Sequence, residues 1–281
     1  MDHVLWGVII ICGVLLALVS AGHALLFKRD PRAAVGWIIT CLTVPVVGPL
    51  LYWSAGVNRI RRRALQWLDS GRRLAGWDDF PERREKAVER HPAGAEHLSE
   101  LRKLADRVVS TPLVAGNRLT PLANGDNAYP AMLAAIESAR HSVTLSTYIF
   151  DGDKAGQRFV AALARAADRG VEVRVLIDAL GEKYSWPTAH RLLKGSRVKV
   201  GHFLPLRHGW YLNLRNHRKI LVVDGRTAFT GGMNIGDRHI VGSGAGARPV
   251  ADLHFKVEGP VVSDLQRVFL EDWFFATGEL V

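Results

Sequence analysis

Cysteine is scarce in this chain, which has only two among 281 residues, Cys12 and Cys41. Both lie inside apolar runs, so their spacing predicts neither a disulfide framework nor a zinc site. Acidic residues are also outnumbered, with 27 Asp and Glu against 37 Lys and Arg, which gives a net charge of +10. Such an excess suits nucleic acid, an anionic membrane surface or a substrate that carries phosphate.

Charged residues are missing from two long stretches near the start of the chain. The first, residues 4–27, is rich in Val, Leu and Ile and is long enough to cross about 30 Å of hydrocarbon as a helix. A signal peptide is the alternative, but residues 1–3 contain no Lys or Arg and no clear small-residue cleavage site precedes Lys28. The sequence therefore favours a retained membrane anchor.

The second uncharged stretch, residues 33–57, contains Pro45, Gly48 and Pro49. These residues would kink a membrane helix or allow a re-entrant shape. A buried core helix is the alternative, which the length of the stretch and the neighbouring span disfavour. Together the two stretches predict a membrane anchor of two transmembrane helices.

Basic residues flank the second stretch on both sides and bear on orientation. We expect the anchor in residues 1–58 and a basic, charged linker in residues 59–110. Because Lys and Arg concentrate in cytoplasmic loops, the more basic far side places the rest of the chain in the cytoplasm. Clustered arginines would lie against anionic headgroups; they are Arg59, Arg61, Arg62 and Arg63.

Leucines at helical spacing in residues 96–104 predict an amphipathic helix that either packs on the domain or lies on the membrane.

Residues 111–281 alternate between strand and helix patterns, which predicts an α/β domain with a sheet covered on its faces. Asn124-Gly125 followed by Asp126-Asn127 predicts a turn. The strand candidates are rich in β-branched residues, and the helix candidates have apolar periodicity. The predicted strands are residues 142–150, 171–177, 198–203, 219–223, 227–230 and 252–257; the predicted helices are residues 131–139, 156–169 and 261–275.

The most informative stretch lies between residues 216 and 234. Alternate residues of a strand point to the same face, so His217 and Lys219 are expected to face one pocket. Asp224 with Gly225 predicts a turn into the next strand, which returns to the same edge. The residues at that edge are Gly231, Gly232 and Asn234, and the paired glycines would let a ligand approach the backbone closely.

An imidazole, an ammonium and an amide in one pocket suit a phosphate diester. The imidazole of His217 can attack phosphorus when its other ring nitrogen is held by an acceptor. Lys219 and Asn234 can stabilise the negative charge of the transition state. A single His on a strand is more often a hydrogen-bonded structural residue, but the combined spacing is specific enough to indicate a functional site. No clustered set of His, Cys, Asp and Glu ligands is apparent, so we expect no metal.

At these residues the sequence resembles the phospholipase D superfamily, and more widely the bacterial cardiolipin synthases. Supporting stretches are residues 59–63, 148–150, 169–176, 212–217, 257–260 and 272–273. The resemblance implies a mixed sheet flanked by helices and a reaction without metal or organic cofactor. It implies the following roles: His217 as the nucleophile that forms a phosphohistidine, Lys219 and Asn234 with Gly231 and Gly232 as the phosphate site, Asp252 as the acid that orients the nucleophile, and Asp224 as a largely structural member of the motif.

The reaction implied by the resemblance moves a phosphatidyl group from one phosphatidylglycerol to another at the inner (plasma) membrane. Hydrolysis of phosphodiesters is the alternative, although the positive charge beside the membrane disfavours nucleic acid as a partner. Members of the superfamily usually carry two copies of the motif, one to attack and one to protonate the leaving oxygen. This chain has one complete copy. A homodimer, a complementary second half on another chain and an inactive half-enzyme therefore stay open.

Overall fold

The structure is a computed structural model that describes residues 2–28, 30–57, 98–108, 114–205, 215–242 and 248–281. The chain divides into two compact units. The described residues up to 57 belong to the first unit, and the other described residues belong to the second. The predicted headgroup contact of Arg59–Arg63 lies outside the described residues.

The first unit is built from short helices that follow one long helix. They are α1 (Asp2–Phe27), α2 (Pro31–Thr43), α3 (Val47–Leu51) and a π-helical turn (Tyr52–Gly56). Asp30 begins α2, because its carboxylate accepts a hydrogen bond from Arg32 N at 3.0 Å and Pro31 fits the first helical position. Pro45 follows the end of α2 and cannot continue the helix.

Among the described residues, one helix is long and apolar enough to cross a membrane, Leu5–Phe27 within α1. The second predicted transmembrane helix does not form as one continuous helix. Residues 44–46 interrupt the second apolar stretch, at the proline that predicted a kink or a re-entrant shape. Two transmembrane helices are therefore not confirmed.

The second unit begins with α4 (Ser99–Val108), which overlaps the predicted amphipathic helix. A seven-stranded sheet follows, with strands β1 (Arg118–Ala123), β2 (Ser142–Thr147), β3 (Glu172–Asp178), β4 (Lys199–Phe203), β5 (Ile220–Val223), β6 (Thr227–Gly231) and β7 (Leu253–Glu258). The strand order is β1-β7-β6-β5-β2-β3-β4. β2, β3 and β4 run parallel, and the remaining neighbours pair antiparallel. The predicted mixed sheet is confirmed.

Helices cover both faces of this sheet. They are α5 (Asn124–Ser138), α6 (Lys154–Asp168), α7 (Ala189–Leu193) and α8 (Val262–Thr277). Strand β5 shows why two layers form, since all four of its residues are apolar and buried. Leu221 and Val223 pack in the core formed with α5 and α6, whereas Ile220 and Val222 pack in the core that includes Val262 of α8. A continuous apolar strand of this kind is typical of a sheet buried on both faces.

Several local features differ from what the sequence predicted. Strand β1 and the short helix α7 were not predicted. The turn predicted at Asn124-Gly125 was wrong, because these residues form the first turn of α5 and the Asn124 side chain accepts a hydrogen bond from Asp252 N at 3.0 Å. Strand β2 ends at Thr147 rather than at Phe150. Beyond the strand, Ile149 N donates a hydrogen bond to Asn234 Oδ1 at 3.1 Å.

Candidate active site

The segment that carries His217 lies immediately before β5 rather than within it. Two carboxylates accept hydrogen bonds from Asn216 and so fix the position of this segment. Asp178, the last residue of β3, accepts a hydrogen bond from Asn216 N at 3.1 Å. Asp272 on α8 accepts from Asn216 Nδ2 at 2.9 Å and from Arg218 Nη1 at 2.6 Å. Asn216 is therefore held through its backbone to the end of β3 and through its side chain to α8, and the Arg218 side chain is held to the same carboxylate of α8.

The side chain of His217 is exposed and lies on the ring of Tyr148, which follows β2. The two ring centroids are 4.2 Å apart and the ring planes differ by 17°. Lys219 Nζ lies 5.6 Å from the centroid of the same Tyr148 ring and donates to the His217 carbonyl oxygen at 2.7 Å. Both residues therefore lie beside the same Tyr148 ring, although His217 and Lys219 precede the strand rather than alternate along it.

Asp252 precedes β7 and influences the charge of Lys219. Burial lowers the pKa of the Lys219 ammonium, and the nearby Asp252 carboxylate raises it by a smaller amount. Asp252 Oδ1 also accepts a hydrogen bond from Leu253 N at 2.7 Å. Among the described residues, no hydrogen bond joins Asp252 to His217, so the orienting role of Asp252 stays a prediction.

The paired glycines make room for the protein's own side chains. A Cβ atom on Gly232 would lie 2.2 Å from Asp252 Oδ1, and one on Gly231 would lie 2.7 Å from His254 Nδ1. Glycine at these positions lets the residues around the start of β7 approach the end of β6. The two glycines thus support the placement of Asp252, and a role in phosphate binding stays a prediction.

Asn234 is held with its amide group in a fixed orientation. Its Oδ1 accepts from Ile149 N at 3.1 Å, and its backbone carbonyl accepts from the Tyr129 hydroxyl at 2.8 Å. Within the described part of the chain, Asn234 Nδ2 has no hydrogen-bond partner. This nitrogen can therefore donate a hydrogen bond to a phosphate oxygen, and its role in phosphate binding stays a prediction.

Asp224 lies at the opposite end of β5 from Lys219. Its carboxylate accepts from three backbone N–H groups at the start of β2, those of Arg140 (3.0 Å), His141 (2.8 Å) and Ser142 (2.9 Å). Burial raises the pKa of this carboxyl, but the three hydrogen bonds outweigh it and leave the pKa below its usual range. The fold therefore places Asp224 away from His217 and Lys219, which lie just before the start of β5.

Sequence reasoning gave no role to three residues that position the site. Tyr148 and Asp178 had a usable signal, because they lie at the carboxyl ends of the parallel strands β2 and β3, where α/β proteins commonly place functional groups. Asp272 lies in one of the stretches that carry the family resemblance, but nothing in the local sequence shows that it contacts Arg218, 54 positions away on the chain. Among the described residues, no group of three or more His, Cys, Asp or Glu side chains could hold a metal ion.

Two further histidines, His239 and His254, are buried beside Asp252. Burial lowers the pKa of His254 to about 4, assisted by His239 and Lys219 and opposed by the Asp252 carboxylate. Burial also lowers the pKa of His239. Burial thus favours the neutral form of both imidazoles.

Residues 132–273 match the family described as "Cardiolipin synthase, PLD-like domain", which is half of the chain. The chain belongs to this family. Residues 15–56 match a second family, described as "Phospholipase_D-nuclease N-terminal". The resemblance to the phospholipase D superfamily and to bacterial cardiolipin synthases is thereby confirmed.

Curated relatives carry the same family name. The chain is 33% identical over 257 residues to cardiolipin synthase 1 of Bacillus anthracis, and the aligned region covers 90% of this chain and 50% of the relative. It is 33% identical over 276 residues to cardiolipin synthase A of Pseudomonas putida, covering 95% of this chain and 56% of the relative. The chain thus spans about half the length of the curated relatives it matches.

Solved structures of low sequence identity are similar to parts of the chain. Nuc of Salmonella typhimurium, a phospholipase D family member, has a TM-score of 0.43 and 18% identity and covers 56% of this chain and 95% of its own. Phosphatidylserine synthase of Haemophilus influenzae has a TM-score of 0.48 and 16% identity and covers 61% of this chain and 40% of its own.

Proposed function

We propose that this chain is a membrane-bound phosphatidyltransferase that moves a phosphatidyl group between phosphatidylglycerol molecules. The observation that carries the proposal is the exposed imidazole of His217, stacked on Tyr148 beside the Lys219 ammonium. This is a nucleophile next to a cation, the pair that attack on an anionic phosphodiester requires. The curated relatives are named cardiolipin synthases, which selects a lipid as the diester.

In the first step, a ring nitrogen of His217 attacks the phosphorus of one phosphatidylglycerol. The N–P bond forms as the bond from phosphorus to the glycerol oxygen breaks, and the departing glycerol takes a proton from a general acid. Lys219 Nζ and Asn234 Nδ2 donate to the two non-bridging oxygens, where negative charge is concentrated. Asp252 helps to keep Lys219 protonated, since its carboxylate raises the pKa of the ammonium.

In the second step, a hydroxyl of another phosphatidylglycerol attacks the phosphohistidine. The N–P bond breaks, the new P–O bond forms, and the proton of the hydroxyl passes to a general base. His217 cannot hold phosphorus and move these protons at the same time. We therefore propose that a second copy of this chain, or a complementary half, supplies the acid–base group.

The large C-terminal unit is proposed to lie in the cytoplasm at the inner membrane. The larger number of basic residues after the second apolar stretch supports this orientation. The substrate headgroups would then be reached from the cytoplasmic leaflet.

The products made by the purified chain in detergent micelles of phosphatidylglycerol test the proposal. Mass spectrometry should show cardiolipin and glycerol. Phosphatidic acid as the main product would show that the chain hydrolyses the lipid instead of transferring the phosphatidyl group. The absence of any product and of a phosphohistidine would refute both reactions for the isolated chain. His217→Ala should abolish turnover, whereas His141→Gln, which changes an exposed histidine of the same unit, should retain it.

The dependence of specific activity on protein concentration tests the second part of the proposal. A homodimer predicts that specific activity rises with concentration and that chemical cross-linking in membranes captures a pair. Full activity of a chain that stays monomeric throughout would exclude the need for a partner.

A further inference from the structure

The second apolar stretch folds back on itself in the first unit. α2 runs to Thr43, the chain turns at residues 44–46, and α3 with the π-helical turn returns along α2. The two arms are in close contact, since a Cβ atom on Gly48 would lie 2.2 Å from the Thr40 carbonyl oxygen. Farther from the turn, a Cβ atom on Gly56 would lie 3.0 Å from the Trp37 ring. This pairing makes residues 31–56 an antiparallel hairpin.

The returning arm is joined to the C-terminal half of α1 and to the residue that follows α1 by side-chain hydrogen bonds. They are Lys28 Nζ to the Gly56 carbonyl (2.5 Å), His23 Nδ1 with the Tyr52 hydroxyl (2.6 Å) and Trp53 Nε1 to Ser20 Oγ (2.9 Å). The hairpin therefore begins and ends at the same level, next to the C-terminal end of α1.

The tip of the hairpin reaches only the middle of α1. The Val46 side chain would be 3.2 Å from a Cβ atom on Gly13. From Gly13 to Lys28, a helix rises about 22 Å at 1.5 Å per residue. The spanning segment Leu5–Phe27 is about 35 Å long by the same measure, and the hydrocarbon core is about 30 Å thick. The hairpin thus ends short of the opposite membrane surface.

The turn satisfies much of its own backbone, as a chain reversal inside hydrocarbon must. Its hydrogen bonds run from Val44 N to Thr40 O (3.1 Å), from Val47 N to Pro45 O (3.0 Å) and from Gly48 N to Val44 O (2.8 Å). Pro45 has no N–H group that would need a partner. Apolar side chains around the turn and on the outer face are exposed, among them Val35, Ile39, Leu42, Val46, Leu50 and Leu51.

We propose that residues 31–56 form a re-entrant hairpin that enters the hydrocarbon core and leaves on the same side, with its exposed apolar face against the acyl chains. α1 then makes the one crossing within the described residues up to 57. Lys28 before the hairpin, Arg32 at its start and the arginines that follow it in the sequence would then lie on one membrane side, whereas two crossings would put the basic residues before and after the second stretch on opposite sides. Both basic groups then favour the cytoplasm together. The inference concerns the anchor and holds whichever reaction the second unit catalyses.

Single-cysteine labelling of the full chain in membranes tests the topology. Cys12 and Cys41 are replaced by Ala, and a membrane-impermeant maleimide is applied to right-side-out and to inverted vesicles. We expect Asp30→Cys and Val57→Cys to react in inverted vesicles only, His3→Cys in right-side-out vesicles only and Val46→Cys in neither. Reaction of Asp30→Cys and Val57→Cys from opposite sides would overturn the hairpin.

A matched pair of glycine substitutions tests the packing that closes the hairpin. Gly48→Leu places a side chain against the Thr40 carbonyl, so it should separate the arms and make Val46→Cys reactive or Val57→Cys reactive from both sides. Gly36→Leu is the control, because a Cβ atom on Gly36 meets nothing within 4 Å. An unchanged labelling pattern in Gly48→Leu would count against the close pairing.

Discussion

The imidazole of His217 lies flat against the phenol ring of Tyr148, with centroids 4.2 Å apart. Because Lys219 Nζ lies 5.6 Å from the same phenol ring, one aromatic side chain supports both the proposed nucleophile and its neighbouring cation. The stack restricts rotation of the exposed imidazole and leaves its edge open to a substrate. The position of Tyr148 after β2 thus connects the sheet to the chemistry.

Replacing the aromatic ring should slow the reaction. Tyr148→Leu removes the stack, which contributes about 0.5–1.5 kcal/mol in aromatic pairs, and we expect kcat to fall by about tenfold with a smaller change in KM. Tyr148→Phe keeps the ring and should retain most of the rate in the same transfer kinetics. An equal loss in both variants would assign the role to the hydroxyl rather than to the ring.

Asp272 should act as a positioning residue. Asp272→Ala leaves buried Asn216 without its acceptor, at a cost of about 1–3 kcal/mol in unfolding free energy, and should lower kcat because the segment carrying His217 loses its attachment to α8. Asp272→Asn retains an acceptor oxygen and should recover part of both losses. Thermal unfolding and transfer kinetics measure these effects. Asp168→Ala, which removes an exposed carboxylate, is the control, and Asp272→Ala behaving like it would contradict the role.

Asp224 should matter for stability rather than for catalysis. Asp224→Ala removes the acceptor of three backbone N–H groups and should lower the unfolding free energy by about 1–3 kcal/mol, with kcat little changed well below the unfolding temperature. Asp224→Asn should cost less, since Asn keeps one acceptor oxygen and tolerates the positive φ of 51° at this position. A large loss of kcat in a fully folded Asp224→Asn chain would show a catalytic role instead.

The buried His254 should make stability depend on pH. Its pKa of about 4 lies below the ordinary 6.5 because burial disfavours the charged ring. As the pH falls below 6.5 the unfolded chain binds a proton that the folded chain excludes, so stability is full above 6.5 and declines toward pH 4. The slope from one such group is at most about 1.4 kcal/mol per pH unit.

Unfolding temperatures of the full chain in detergent, recorded between pH 7 and pH 4, check this expectation. His254→Gln should show a weaker decline than the parent chain, and the exposed control His141→Gln should keep the decline of the parent. Identical pH profiles for His254→Gln and the parent chain would mean that His254 does not contribute.

Local patterns in the sequence were sufficient for much of the architecture. The uncharged run predicted α1, since spanning length and composition are properties of one segment. Alternating strand and helix patterns predicted the α/β unit, and β5 was predicted almost to the residue because four consecutive apolar side chains require cover on both faces. The spacing of His217 and Lys219 identified the motif on which the proposed function rests.

Tertiary structure decided what these residues contact. Sequence spacing could not show that Asp272 holds the segment around His217, because the contact depends on how α8 packs on the sheet. The glycines that predicted an open approach for a ligand accommodate Asp252, just before β7, and His254 within β7. The prolines and glycine of the second apolar stretch allowed both a kinked crossing and a hairpin. The close contact of Gly48 with Thr40 supports the proposed hairpin, since folded arms bring those two residues together.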